Sequence, residues 1–302
     1  MVFNQSGKIE MKSLKNNAEF KLTDTLKKYP PLLSIYLSVF LLICRRIKIA
    51  RKIEHPAVKY WEKWPDVIIA PYFSSKKDPR WHFRRKKDDY SYMRRWYESM
   101  QQHDLHGIIF HDRLSASFIK KYQTDKIIFI KCTVGFYSLN DERFFIYNSF
   151  LKNAYYRYVF LTDISDLSIN SDPFDLINNN RDKCLFIGSE EEYFQDCEWI
   201  KKTLGQFGER ATFFDKLMQQ RAFKIYNAGI IGGERRDVLA LLERMTNIFN
   251  EFCNPFNVDM CVLNYVLKSY YNDDVIFSGY PLNSRFKSYE KPSETKACFI
   301  HK

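Results

Sequence analysis

The chain has 302 residues, 45% of them apolar, which is enough for a sizeable buried core and excludes a wholly disordered protein. Formal net charge is +11 at pH 7, but residues 1–60 carry twelve Lys or Arg against four Asp or Glu, leaving only +3 for the remainder. The basicity belongs to an N-terminal segment, so a nucleic-acid partner is not expected on charge grounds.

Residues 1–30 are polar and lysine-rich, a mobile arm or peripheral helix. Pro31–Cys44 is a stretch of fourteen uncharged residues between Lys27-Lys28 and the cluster Arg45, Arg46, Lys48, Arg51 and Lys52. It is shorter than the roughly twenty residues of a spanning helix, and reads either as a core helix or as an interfacial helix drawn to an anionic membrane surface. Met1–Phe20 lacks an apolar core followed by a small-residue cleavage site, so no secretory signal is expected. The seven cysteines form no Cys-x-x-Cys pair and several lie within apolar runs, which suits buried thiols in a reducing compartment. The expected location is the cytoplasm, with peripheral membrane attachment through residues 1–60, and the main domain is expected over residues 61–302.

Within that domain, Val67–Ala70 reads as a buried strand ended by Pro71 and Tyr72. A loop over 76–87 mixes seven Lys or Arg with Trp81, His82 and Phe83. Tyr90–Gln101 has helical spacing, with Tyr92, Trp96 and Met100 four apart, and Gly107–Phe110 is a second strand ending at His111 and Asp112. Strand, helix, strand implies a parallel pair, which brings Asp112 to the same sheet edge as Tyr72. Lys126–Lys131 is a third strand, and a helix follows with Asn140 as its cap and Asp141 and Glu142 against its positive end. Arg143 on that helix has a guanidinium suited to a diphosphate, an active-site carboxylate, or a neighbouring surface acid.

The apolar run Tyr158–Leu161 delivers Asp163 and Asp166 to the point where a strand ends. Two carboxylates there repel unless a divalent cation lies between them, and oxygen ligands favour Mg2+ or Mn2+; the alternative is a turn-capping Asp163 and a solvated Asp166. Cys184–Ile187 is another strand, after which Glu190, Glu191 and Glu192 are expected to open a helix. Asn227, Ala228 and Gly229, with Gly232 and Gly233, flank a short apolar strand whose backbone a ligand can approach closely. Neither a dinucleotide fingerprint nor a phosphate-loop motif occurs in the chain. Arg235–Asn250 and Val258–Tyr271 are amphipathic helices, the second with Asp259 in its first turn, and Val275–Ser278 is a further strand.

Thr162-Asp-Ile-Ser-Asp166 with Ser171-Asp-Pro-Phe174, then Tyr226-Asn-Ala-Gly-Ile-Ile-Gly-Gly233, Val258-Asp-Met260 and Ile300-His301 follow one another in an order that resembles GT-A-fold glycosyltransferases. The likeness runs from about Asp66 onward and is nearest to viral and bacterial enzymes of this fold. The usual Asp-x-Asp spacing is Asp-x-x-Asp here. The resemblance implies a Rossmann-like α/β domain, a mostly parallel central sheet flanked by helices, with the basic segment as a helical N-terminal extension. It implies transfer from a nucleotide-sugar donor, uridine-linked, to a hydroxyl of a glycan or lipid-linked acceptor. Asp163, Asp166 and a C-terminal His301 would hold Mn2+ or Mg2+; Tyr72 would stack on the base and Asp112 would accept from the ribose or base. Arg143, Asn227 and Gly229 would border the donor, and Asp259 would serve as general base. Two other readings stand beside it: a metal-dependent phosphoryl transferase or nuclease that uses the same aspartates, and a non-catalytic membrane-associated interaction protein in which the aspartates are turn residues and the basic N-terminus is the functional part.

Overall fold

The computed structural model describes residues 51–54, 59–77, 84–205, 212, 214–252 and 256–302, with two further single positions, 35 and 39. The chain divides into two compact units, Met1–Lys48 and Ile49–Lys302. The apolar stretch 31–44 lies in the first and, those two positions apart, outside the described residues, as do Trp81, His82 and Phe83 of the basic loop.

The second unit is a mixed α/β structure built on a seven-stranded sheet in the order β3-β2-β1-β4-β7-β6-β8. Its strands are β1 (Asp66–Tyr72), β2 (Gly107–His111), β3 (Ile127–Lys131), β4 (Tyr158–Thr162), β6 (Leu185–Tyr193), β7 (Lys224–Glu234) and β8 (Ile276–Ser278). The first four are mutually parallel, β6 and β8 are parallel to each other, and β7 runs antiparallel to both its neighbours. This is the expected mostly parallel, helix-flanked sheet. Strands β1, β2 and β4 are buried along nearly their whole length, as their continuous apolar runs require of a sheet covered on both faces.

Alternation divides β1 between two cores: Val67 and Ile69 face one, Ile68 and Ala70 the other. The first core is closed by α3 (Leu139–Leu151), α7 (Arg235–Phe252) and α8 (Asp259–Tyr270) through Phe144, Leu241, Met245 and Val262. The second is closed by α1 (Tyr90–Gln102), α2 (Ala116–Tyr122) and α4 (Pro173–Asn179), with Trp96, Phe118 and Phe174. Short helices α5 (Glu198–Gly205) and α6 (Asp215–Met218) complete the first side. A second, two-stranded sheet pairs β5 (Leu167–Ile169) antiparallel with β9 (Phe299–His301).

Three expectations change. The acids Glu190 to Glu192 do not open a helix but continue β6, because the strand stays paired with β7 out to Tyr193 and Lys224. Lys224 also reaches Glu191 at 2.7 Å across that pair, so strand pairing overrides the local helix preference. Helix α3 is capped by Ser138 rather than Asn140; Asp141 and Glu142 lie in its first turn as expected, and both are fully buried. Residues 51–54, counted from sequence with the N-terminal extension, belong to the second unit. Ile53 bridges Cys132, Thr133 N donates to Lys52 O at 2.9 Å, and Arg51 donates to buried Glu142 at 2.7 Å.

Candidate metal centre

Strand β4 ends at Thr162, whose hydroxyl accepts from Trp96 Nε1 at 2.9 Å, and the chain then turns out of the sheet. Asp163 N still donates to Gly229 O at 2.9 Å, continuing the antiparallel ladder one residue past the strand and fixing where its carboxylate emerges. Four residues on, the chain enters β5, whose Leu167 is in register with His301 of β9. Lys302 N donates to Asp166 O at 2.8 Å. The small sheet therefore carries a histidine from the far end of the sequence to the two aspartates. His301 lies 3% exposed, with Phe286 edge-on to its ring at 4.7 Å.

His301 Nε2 is 3.6 Å from Asp163 Oδ2 and 3.9 Å from Asp166 Oδ1. One ligand atom from each of the three side chains can be chosen so that all lie within 4.8 Å of one another, and this is the one such group among the described residues. Two carboxylate oxygens and an imidazole nitrogen can hold a metal ion, and the hard, oxygen-dominated set suits a divalent cation. Charge points the same way. Burial and the neighbouring Asp163 raise the Asp166 carboxyl above its ordinary range. Burial also acts upward on Asp163, but Arg143 and His301 outweigh it and hold that carboxyl well below the usual range. His301 is raised, its burial being overcome by Asp163 and Asp166.

Gly229 is essential to this packing. A methyl group added there would lie 2.5 Å from His301 Cε1, 2.7 Å from Asp163 Oδ2 and 2.8 Å from Asn227 Oδ1. Asn227 is itself pinned, its Oδ1 accepting from Gly229 N at 2.7 Å and its Nδ2 donating to Glu190 Oε1 at 2.6 Å.

Arg143 sits behind the aspartates, 5% exposed. Its Nη1 pairs with Asp163 Oδ1, while Nη2 donates to Asp259 Oδ2 at 3.0 Å and Ala228 O at 3.1 Å. The guanidinium thus ties helix α3, the end of β4, strand β7 and the start of α8 together, and leaves Asp163 Oδ2 facing His301. Asp259 is 4% exposed, its Oδ1 accepting from Met260 N at 2.8 Å, so both of its oxygens are engaged. Beneath it, Asp141 accepts from Val258 N at 3.2 Å; burial and Asp259 push its carboxyl well up.

The two residues expected at the nucleotide base each have protein partners of their own. Tyr72 is fully buried, its hydroxyl donating to Asp89 O at 3.0 Å and its ring edge-on to Tyr92 at 5.0 Å. Asp112 accepts from Ser74 N and Ser75 N, both at 2.9 Å, and so ties down the loop after β1. Sequence reasoning missed Glu190, which it placed at a helix start; the signal was the apolar strand run 184–187 leading directly into the acids. The five described cysteines are free thiols, and no helix among the described residues is long and apolar enough to cross a membrane. No protein-family model and no curated protein matches the chain.

Proposed function

We propose that the protein transfers a sugar from a nucleotide diphosphate donor, uridine-linked in the first instance, to a hydroxyl of a glycan or lipid-linked acceptor. The observation that carries this reading is the meeting of Asp163, Asp166 and His301 where a buried parallel strand ends, the edge at which α/β sheets bind ligands. The motif order resembling GT-A glycosyltransferases supports it, since the members of that motif set, far apart in sequence, converge here. A single metal-competent group among the described residues suits a one-metal transferase better than a two-metal phosphoryl transferase.

In this reading Asp163, Asp166 and His301 hold Mn2+ or Mg2+, which when bound offsets the negative charge on a leaving diphosphate. Arg143 keeps one oxygen of Asp163 occupied and so fixes the orientation of the other, as partners behind metal ligands do. Gly229 keeps the space beside the ligands clear of a side chain. The basic N-terminal segment adds affinity for an anionic membrane surface on which a lipid-linked acceptor would sit.

A thermal-shift panel tests the proposal: the full chain with Mn2+ or Mg2+ and uridine, guanosine, cytidine and adenosine diphosphate sugars. At about a hundredfold excess over Kd, linkage gives nearly 3 kcal/mol, or roughly 5 to 10 °C for a unit of this size. Stabilisation by a nucleotide sugar that needs the cation supports the reading. Stabilisation by oligonucleotides alone, or by no nucleotide sugar, refutes it.

A further inference from the structure

We propose that Glu190 is the general base that takes the proton from the acceptor hydroxyl; this rests on the glycosyltransferase reading above. A transferase acting by direct displacement needs a carboxylate or imidazole that can reach the attacking hydroxyl, close to the leaving diphosphate but not consumed in holding it. The carboxylates around the sheet edge are otherwise committed. Asp163 and Asp166 belong to the metal group, Asp259 is buried with both oxygens engaged, and Asp112 accepts from two backbone amides.

Glu190 differs in three respects. It is half-buried at the outer part of β6 rather than enclosed in a core. One of its oxygens, Oε1, is held at 2.6 Å by Asn227 Nδ2, while Oε2 takes no hydrogen bond from any described residue. And it is one amide side chain away from the metal group, because Asn227 Oδ1, Asp163 Oδ2 and His301 Cε1 all crowd within 2.8 Å of the point a methyl on Gly229 would occupy. Asn227 therefore sets the carboxylate's position relative to the metal ligands. Burial raises its carboxyl above the ordinary range against the Asn227 hydrogen bond, Lys287 and His301, with Glu192 reinforcing the rise. That direction brings a carboxylate closer to the basicity a general base needs.

In the step proposed, the acceptor oxygen forms a bond to the anomeric carbon of the nucleotide sugar. The bond from that carbon to the diphosphate oxygen breaks, and its electron pair leaves with the nucleoside diphosphate. The hydroxyl proton passes to Glu190 Oε2 and from there to solvent. Attack opposite the leaving group inverts the anomeric configuration.

The test is Glu190→Gln in the full chain, assayed with Mn2+ and whichever nucleotide sugar stabilises the parent. Gln keeps an oxygen for Asn227 Nδ2 and cannot take a proton. Transfer should fall by about a hundredfold to ten-thousandfold in kcat, with the cation-dependent thermal shift by the donor unchanged, and the parent's product should have inverted configuration. Glu190→Ala should lose rate to a similar degree, which guards against a defect peculiar to Gln. Parental kcat in either folded variant, or retained configuration in the parent's product, overturns the assignment of Glu190 while leaving the glycosyltransferase reading intact. A parent that neither binds nor uses any nucleotide sugar overturns both.

Discussion

Asp163 and Asp166 both face His301, yet removing either charge should have opposite effects on the metal-free protein. Asp163 is the partner of a buried guanidinium, so Asp163→Asn leaves Arg143 with Asp259 as its one charged partner among the described residues and should cost about 2 kcal/mol. Asp166 has no such partner and is disfavoured as an anion by burial and by Asp163, so Asp166→Asn should be at least as stable as the parent. Denaturant unfolding without metal distinguishes the two, and with Mn2+ both should lose the stabilisation the parent gains. At the end of β2, His111 is 1% exposed and burial pulls its pKa down to about 4. A histidine depressed in the folded state contributes stability that is complete above its unfolded pKa of about 6.5 and lost as pH falls toward 4, about 3 kcal/mol in all. The stability difference between parent and His111→Gln, followed by denaturant unfolding, should therefore be largest near pH 7.5 and shrink steadily through that window.

At the scale of elements, β7 is the antiparallel strand inserted between β4 and β6, and its glycines are where other groups approach most closely. Gly229 and Gly232 allow separate tests of site and core. A methyl at Gly232 would lie 2.2 Å from Phe160 Cδ1 and Cε1, an overpacking that should cost about 1 to 3 kcal/mol. A methyl at Gly229 meets His301, Asp163 and Asn227 instead. Gly229→Ala should abolish Mn2+-dependent stabilisation with a smaller loss of metal-free stability, whereas Gly232→Ala should do the reverse. Comparing the melting temperatures of both variants with and without Mn2+ checks this; equal metal responses would show that the β7 backbone does not shape the metal group.

At the scale of the whole molecule, the edge of the second unit matters because Glu142 is fully buried and Arg51 is its cationic partner. A chain beginning at Ile49 should unfold at the same denaturant concentration as the longer chain, since residues 51–54 keep their pairing with 131–133. A chain beginning at Pro56 leaves a buried carboxylate with Tyr137 N as its one remaining donor among the described residues, and should be about 3 kcal/mol less stable. Equal midpoints for the two truncations would show that the Arg51 pair contributes nothing.

By itself the sequence located many of the strands and helices along the chain, because apolar runs at Val67–Ala70, Gly107–Phe110 and Tyr158–Leu161 and helical spacing over Tyr90–Gln101 and Arg235–Asn250 are local patterns that burial makes legible. It also singled out Asp163 and Asp166 at a strand end and the glycines around Asn227. It did not determine what these residues meet. The docking of β9 on β5, which puts His301 beside Asp166, joins segments over a hundred residues apart, and so does the hydrogen bond from Arg143 to Asp259. Tyr72 and Asp112 stand at the predicted sheet edge, but only the folded chain shows one ring buried and one carboxylate tied to a loop. Glu190 is the clearest case: three successive acids favour a helix start locally, and pairing with β7 made them a strand instead. That pairing turned Glu190 toward Asn227, because which face an acid occupies is set by the register of its strand and not by its neighbours in sequence.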